Sequence, residues 1–352
     1  MSRNTPENAF KADVDTIVAE TLKLIGNVNI TIILYGGYGR DEGGWIHING
    51  SYFPYNDYDI VLIVDGKLRV KKSWLIAELE IKLLSLIKIK FIDIAIYEAS
   101  KLRRLKNSIF NIDLIRASKV IYGDKNIFRN IDYLEESKIA IREAELLFFT
   151  RAWVFSGGIS VHQSDNMFAI TQLSKAIFAI IDAYLIAENS YTSFYKDKIV
   201  NFKALGSIKS NSKFGKLVDW AYLQRLSPAS VFNVTDISYQ EAISEVRVVY
   251  KSIFLELFSK KYNVKFTTVR SYVIFNSYVS RSFLGRCLRF LPFGYSFKKT
   301  MYLKIIFGLN LSYQLGEIGI LELESELAAA YQFFQLKEID VEKNAYLVAN
   351  KL

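Results

Sequence analysis

Cysteine is almost absent from this sequence: Cys287 stands alone, so no internal disulfide can form, which agrees with a reducing compartment. Phe283, Leu284, Leu288 and Leu291 surround it at helical spacing, which predicts a packed thiol rather than a reactive one. The only histidines are His47 and His162, so the nitrogen and sulfur ligands of a zinc site are missing and any metal falls to carboxylates. Proline is equally scarce. Four prolines, with 51% apolar and 14% aromatic residues, exclude a collagen-like or disordered chain. Low-complexity tracts and fixed-period repeats are also lacking. Residues 1–15 have no apolar core of a signal peptide, and no charge-free run of eighteen residues reads as a membrane span, so a cytoplasmic location is the expectation.

What is present is length and basic charge. A chain of 352 residues exceeds one typical domain, and its net charge of +9 permits an anionic partner such as a nucleotide, a nucleic acid, an acidic glycan or a membrane surface.

The pattern along the chain begins with Thr5-Pro6, a cap and first helical residue, after which Phe10, Val14, Ile17, Val18, Thr21 and Ile25 recur on one face up to Gly26. Residues 28–35 form a β-branched run that stops at Gly36-Gly37, and a second strand is predicted over 57–64, ended by Asp65-Gly66. A helix capped by Ser73 carries Leu75, Ile76, Leu79, Leu83 and Leu86, and strands follow at 89–97 and 119–122. Beyond Asp124 the pattern turns helical, near 132–156, 166–189 and 239–262, with a last helix over 317–335. The predicted fold class is α+β: a small mixed-sheet domain (1–125), an all-helical domain (126–264), and a basic aromatic segment with a C-terminal helix (265–352) that belongs to the helical domain or stands apart.

Asp57 and Asp59 stand at i and i+2 on a strand, so their carboxylates project from one face. Two like charges that close repel, and a divalent cation between them is the natural resolution. Mg²⁺ suits such a site because it takes oxygen ligands from one or two carboxylates and substrate phosphates. Ile92, Ile94 and Ile96 face one way and Asp93 the other, and a charge in such a strand needs a partner. If the two strands are neighbours, Asp93 completes a cluster able to hold two ions about 3.5 to 4 Å apart. The Gly36-Gly37-Tyr38-Gly39-Arg40 turn lets backbone approach a phosphate, with Arg40 placed to fork onto its oxygens or to pair with Asp41 or Glu42.

Leu34-Tyr35-Gly36-Gly37, Asp57-Tyr58-Asp59 and Asp93, in that order, resemble the signature of the polymerase-beta nucleotidyltransferase superfamily over residues 28–124. The close of that stretch, Asp113 to Asp124, is also similar to bacterial members. Leu173 to Ile177 and Asp182 to Tyr184 resemble the helical companion domain of kanamycin-nucleotidyltransferase-like enzymes. The resemblance implies transfer of a nucleoside monophosphate from a nucleoside triphosphate to an acceptor hydroxyl, with pyrophosphate leaving. It also implies that Asp57 and Asp59 bind both metals while Asp93 binds one and activates the acceptor, and that Gly36, Gly37, Tyr38 and Arg40 bind the nucleotide. One departure is the twenty-residue interval from Gly37 to Asp57, longer than the family's usual loop, whose 45–56 stretch predicts a hairpin or a lid. His162 lies eleven residues after Arg151, so the Arg-x4-6-His pattern of some ribonuclease companions is not met.

Three readings stay open at this level. The favoured one has a small-molecule or glycan acceptor; the others are a protein-adenylylating, antitoxin-like enzyme and a nucleotide-binding regulatory module without catalysis. A further feature is the stretch 257–316, with ten lysines and arginines, fourteen aromatics and no acid. Phe283, Leu284, Cys287, Leu288 and Leu291 form one helical face, with Arg281, Arg286 and Arg289 largely away from it. That face either packs on the helical domain or rests at an anionic surface at the inner face of the membrane.

Overall fold

The computed structural model describes residues 3–26, 28–55, 57–66, 68, 71–89, 91–131, 133–155, 166–206, 212–229, 231–281 and 294–334. The fold class is α+β, a small mixed sheet followed by helices. Helix α1 (Pro6–Ile25) starts where the Thr5 side chain accepts the Asn8 N–H at 3.2 Å and ends at Gly26. Then come β1 (Asn29–Tyr35), a four-residue turn α2 (Gly36–Gly39), the hairpin β2 (Trp45–Ile48) and β3 (Ser51–Pro54), and β4 (Tyr58–Asp65). Helix α3 (Lys72–Leu86), strand β5 (Ile92–Glu98), a 3-10 turn at Ala99–Arg104, α4 (Ile109–Arg116) and β6 (Lys119–Tyr122) follow. The remaining helices are α5 (Ile141–Arg151), α6 (Asn166–Ala187), α7 (Tyr195–Ala204), α8 (Lys213–Leu226), α9 (Tyr239–Tyr262), α10 (Val269–Arg281), α11 (Gly294–Gln314) and α12 (Ile320–Phe334).

These elements form two compact units. The first takes in Met1–Ala140, Glu188–Ser207 and Val218–Val231; the second takes in Ile141–Ala187, Ile208–Leu217 and Phe232–Leu352.

In the first unit the main sheet has the order β5-β4-β1-β6. β1 runs antiparallel to β4 and β6, while β4 and β5 are parallel neighbours joined by the crossover helix α3. Ile30, Ile32, Leu34, Ile60, Leu62 and Val64 point to one face and pack on Ile17 and Ile25 of α1 and on Leu75, Leu79 and Leu83 of α3. The other residues of these strands, Asp59 and Asp93 included, project from the opposite face. The hairpin expected within 45–56 is present; its Tyr52 N–H donates to the Arg3 carbonyl and its carbonyl accepts from Arg3 Nε, while the Arg3 guanidinium also forks onto Asp13 at 2.7 and 2.9 Å.

Several boundaries differ from the pattern-based ones. Ser73 does not cap α3: the extended N-cap backbone belongs to Lys71, so Ser73 falls inside the helix. β5 begins at Ile92 rather than Ile89, because the Ile87 and Ile89 N–H groups are still closing turns out of α3. The helix expected near 132–156 is shortened to α5, since Ile139 is buried in extended backbone after a 3-10 turn at Glu136–Lys138. Glu317 lies ahead of the last helix, accepting the Val269 and Arg270 N–H groups at the start of α10 and pairing with Lys251 at 2.8 Å.

The second unit is helical. α5 packs on α6, α10 on α11 and α11 on α12, around an aromatic core in which Phe148 meets Tyr250 and Phe254 edge-on at 4.6 and 5.4 Å. Among the described residues, the stretch Met167–Ala187 of α6 is long and apolar enough to cross a membrane; 89% of its apolar window is buried, as in the central helix of a bundle. Residues 282–293, with the apolar face predicted around Cys287, lie outside the described residues, as does His162. Elsewhere in 257–316 acids from outside the segment meet its cations: Lys261 and Lys304 turn onto Glu145, and Arg270 pairs with Glu322 and Glu326.

Candidate active site

Parallel pairing of β4 with β5 places Asp59 directly beside Asp93, and antiparallel pairing of β4 with β1 places Asp59 opposite Tyr35. Asp57 sits one residue before β4. One ligand oxygen from each of Asp57, Asp59 and Asp93 lies within 4.8 Å of the others, with the two former half-buried and Asp93 exposed. Three carboxylates at that spacing repel one another, and a cation between them relieves the repulsion. An all-oxygen set of this kind could hold a metal ion.

The glycine turn borders this cluster. Gly36 has φ +68, and a Cβ at that position would overlap Asp59 Oδ2. Only glycine therefore accommodates both the turn and the carboxylate behind it. Tyr35, just before the turn, has its hydroxyl pushed well above the ordinary range, first by burial and then by Asp59, Asp93 and Asp57. It stays protonated beside the acids.

Two residues expected at the nucleotide are placed otherwise. Tyr38 is buried; its hydroxyl donates to the Gly44 carbonyl at 2.5 Å, and its ring packs among Trp45, Tyr58 and Phe10. The chain turns tightly after Gly37, which aims the Tyr38 side chain into the core. Arg40 is buried as well, with Nε on Glu42 and Nη1 on Asp113, each at 3.2 Å, and its guanidinium 4.6 Å from the Tyr195 ring centre. Burial alone lowers its pKa, but Tyr195, Asp113 and Glu42 together raise it above the usual arginine value. Arg40 thus anchors the loop after the glycine turn. Gly36, Gly37, Asp57, Asp59 and Asp93 are brought together; Tyr38 and Arg40 point away.

Sequence reasoning offered Glu42 as a partner of Arg40 but missed Asp113 and the contacts beyond both acids. Asp113 accepts the Tyr191 hydroxyl at 3.0 Å, and Tyr191 accepts from buried Lys198 at 3.1 Å. Glu42 accepts the N–H groups of Tyr195 and Lys196 at 3.1 and 3.3 Å, capping α7. Apart from Tyr191 and Lys198, seven residues apart, these pairs join residues 73 to 154 positions apart, which no local period connects.

No family model matches the chain, and no curated protein matches it. Among solved structures it is similar to spectinomycin adenyltransferase AAD(9) from Enterococcus faecialis, determined with ATP and spectinomycin. That alignment is 13% identical, covers 61% of this chain and 98% of the other, and has a TM-score of 0.31. So slight a likeness decides neither fold nor activity.

Proposed function

We propose that this protein is a metal-dependent nucleotidyltransferase that moves a nucleoside monophosphate from a nucleoside triphosphate to a hydroxyl on a small molecule or glycan. The observation that carries the reading is the convergence of Asp57, Asp59 and Asp93 within 4.8 Å, beside a glycine turn whose first residue has no room for a Cβ.

Asp57, Asp59 and Asp93 would hold the ions, one or two Mg²⁺, which when bound neutralise phosphate charge and favour an ionised acceptor oxygen. The chain's own residues do the rest. Gly36 and Gly37 keep side chains away from the triphosphate as it approaches the turn. Asp93, the exposed member, accepts the proton of the acceptor hydroxyl. The acceptor oxygen forms a bond to the α-phosphorus while the bond to the bridging oxygen breaks, and pyrophosphate departs with that electron pair. Tyr35, held protonated by burial and by the acids, does not compete as a base.

The test is pyrophosphate release from each of the four common nucleoside triphosphates with Mg²⁺ and a metabolite extract, products being read by mass spectrometry. Release by the wild type and none by Asp57→Asn/Asp59→Asn is the expected result. Equal turnover by both proteins would sink the reading.

A further inference from the structure

Among the described residues of the first unit, three buried cations gather near two buried carboxylates, while the third buried carboxylate, Asp13, is taken by Arg3. Arg40, Lys198 and Arg225 are each more than nine-tenths buried, as are Glu42 and Asp113. Arg40 pairs with both carboxylates, whose remaining capacity goes to α7 backbone and to the Tyr191 hydroxyl that also accepts from Lys198. Arg225, 8% exposed, makes one hydrogen bond, from Nη2 to the Tyr195 hydroxyl at 2.8 Å, and its guanidinium lies 5.0 Å from the centre of that ring. Its Nε and Nη1 are shut off from solvent with no acceptor, and among the described residues Arg225 forms no ion pair. A charged donor buried without an acceptor is strongly unfavourable, and a fold that keeps one has the acceptor supplied from outside the chain.

The surroundings say where that acceptor enters. Tyr222 stands three residues before Arg225 on α8, on the same face, and is only half-buried. Burial first, then Glu42 and Asp197, raise its hydroxyl, so it remains a donor. The backbone of Arg225 and the ring of Pro228 rest against Gly44, where a Cβ would meet Arg225 O at 2.8 Å. The backbone that carries Arg225 thus packs on the loop that follows the glycine turn.

We propose that Arg225, with Tyr222 as second donor, anchors a site for a phosphate-class anion. A guanidinium matches two oxygens of a phosphate with its planar fork, and the surplus positive charge supplies the attraction. That the anion is the terminal phosphate of a nucleotide or the departing pyrophosphate rests on the proposed function; the existence of the site does not.

The experiment uses the full chain in EDTA, so that the aspartate cluster holds no metal, and follows melting temperature and calorimetric binding with inorganic phosphate, pyrophosphate and ATP. Wild type is compared with Arg225→Met, Arg225→Lys and Asp57→Asn/Asp59→Asn. Pyrophosphate is expected to bind wild type and the aspartate variant alike, and Arg225→Met about tenfold or more weakly, the size of a lost charge-assisted hydrogen bond. Arg225→Lys, which keeps charge but not the fork, falls between them. Without anion, Arg225→Met melts no lower than wild type, because it loses an unsatisfied charge and keeps an apolar stem over Tyr195. Phosphate binding as well as pyrophosphate assigns the site to free phosphate; pyrophosphate and ATP well ahead of phosphate assigns it to a nucleotide tail. A lower melting temperature for anion-free Arg225→Met, unchanged pyrophosphate binding by that variant, or no binding of any anion by wild type each overturns the proposal. If the aspartate variant still turns over ATP with Mg²⁺ while Arg225→Met loses pyrophosphate, the catalytic reading fails and the anion site stands.

Discussion

Glu145 in the second unit and Asp59 in the first are both carboxylates on regular elements, yet their surroundings are opposite. Glu145 is buried and met by the hydroxyls of Tyr262 at 3.1 Å and Tyr272 at 2.5 Å, and by Lys304 at 3.2 Å and Lys261 at 3.6 Å. Burial is the main force on these neighbours: it lowers Lys261, while burial and then Glu145 push both tyrosine hydroxyls up, so the tyrosines stay donors. Asp59 meets two further carboxylates across a sheet face that reaches solvent. One cluster completes its charges from within the chain and joins α5, α9, α10 and α11; the other gathers like charges that could hold a metal ion. Charge balance thus separates an acid neutralised inside the fold from acids left to be neutralised from outside it.

The sharpest way to break this contrast is to remove one acid from each cluster. Asp93→Asn should lower kcat by on the order of 10²–10⁴, the usual contribution of a positioned proton acceptor, while the metal-free protein melts at or above the wild-type temperature. Steady-state kinetics and a thermal melt on the same sample check both halves. A destabilised Asp93→Asn would place that acid with Glu145 instead. Glu145→Ala should do the reverse, costing about 3–5 kcal/mol in urea unfolding because two half-buried lysines lose their carboxylate. Arg40→Met is expected to act like Glu145→Ala, unfolding earlier without a change in nucleoside triphosphate affinity; weaker affinity at wild-type stability would return Arg40 to the phosphates.

Gly36→Ala sharpens the contrast from the backbone side. The left-handed φ costs an alanine about 1–2 kcal/mol, and the new Cβ displaces the Asp59 carboxylate. Titration calorimetry with Mg²⁺ should therefore show a loss of metal binding larger than the loss of stability implies.

The smallest effect concerns acid. Burial raises the Glu317 carboxyl, but Lys251, the Val269 and Arg270 N–H groups and Ser312 together hold it below its ordinary value. A lowered folded pKa contributes stability that is complete above the unfolded carboxylate pKa of about 4.3 and is lost as pH falls through the folded value. Urea unfolding of wild type and Glu317→Gln should thus differ at pH 7 and converge toward pH 3. A gap that persists in acid would leave Glu317 a neutral hydrogen-bonding role only.

Much of the first unit was legible locally. The β-branched run before Gly36-Gly37, the alternation around Asp57 and Asp59, and Asp93 facing away from its isoleucines are period-two signals, and the sheet obeys them. Of the two acids that hold Arg40, Glu42 was legible because it stands two residues away, whereas Asp113 was not, since it arrives from α4, 73 residues on. Arg225 carried no signal at all, since a basic residue on an amphipathic helix normally reads as solvated.

By itself the sequence determined which side of each strand the aspartates occupy and that glycine stands where the chain must turn beside them. Side-chain alternation and backbone sterics act within a few residues, so they are written locally. Only the tertiary structure decided that β5 lies next to β4 with Asp93 in register with Asp59, that Arg40 is enclosed by Glu42, Asp113 and Tyr195, and that Nε and Nη1 of Arg225 are buried without an acceptor. Those outcomes depend on which distant surfaces are brought together as the apolar faces are buried, and charge is paired or orphaned only after that choice is made.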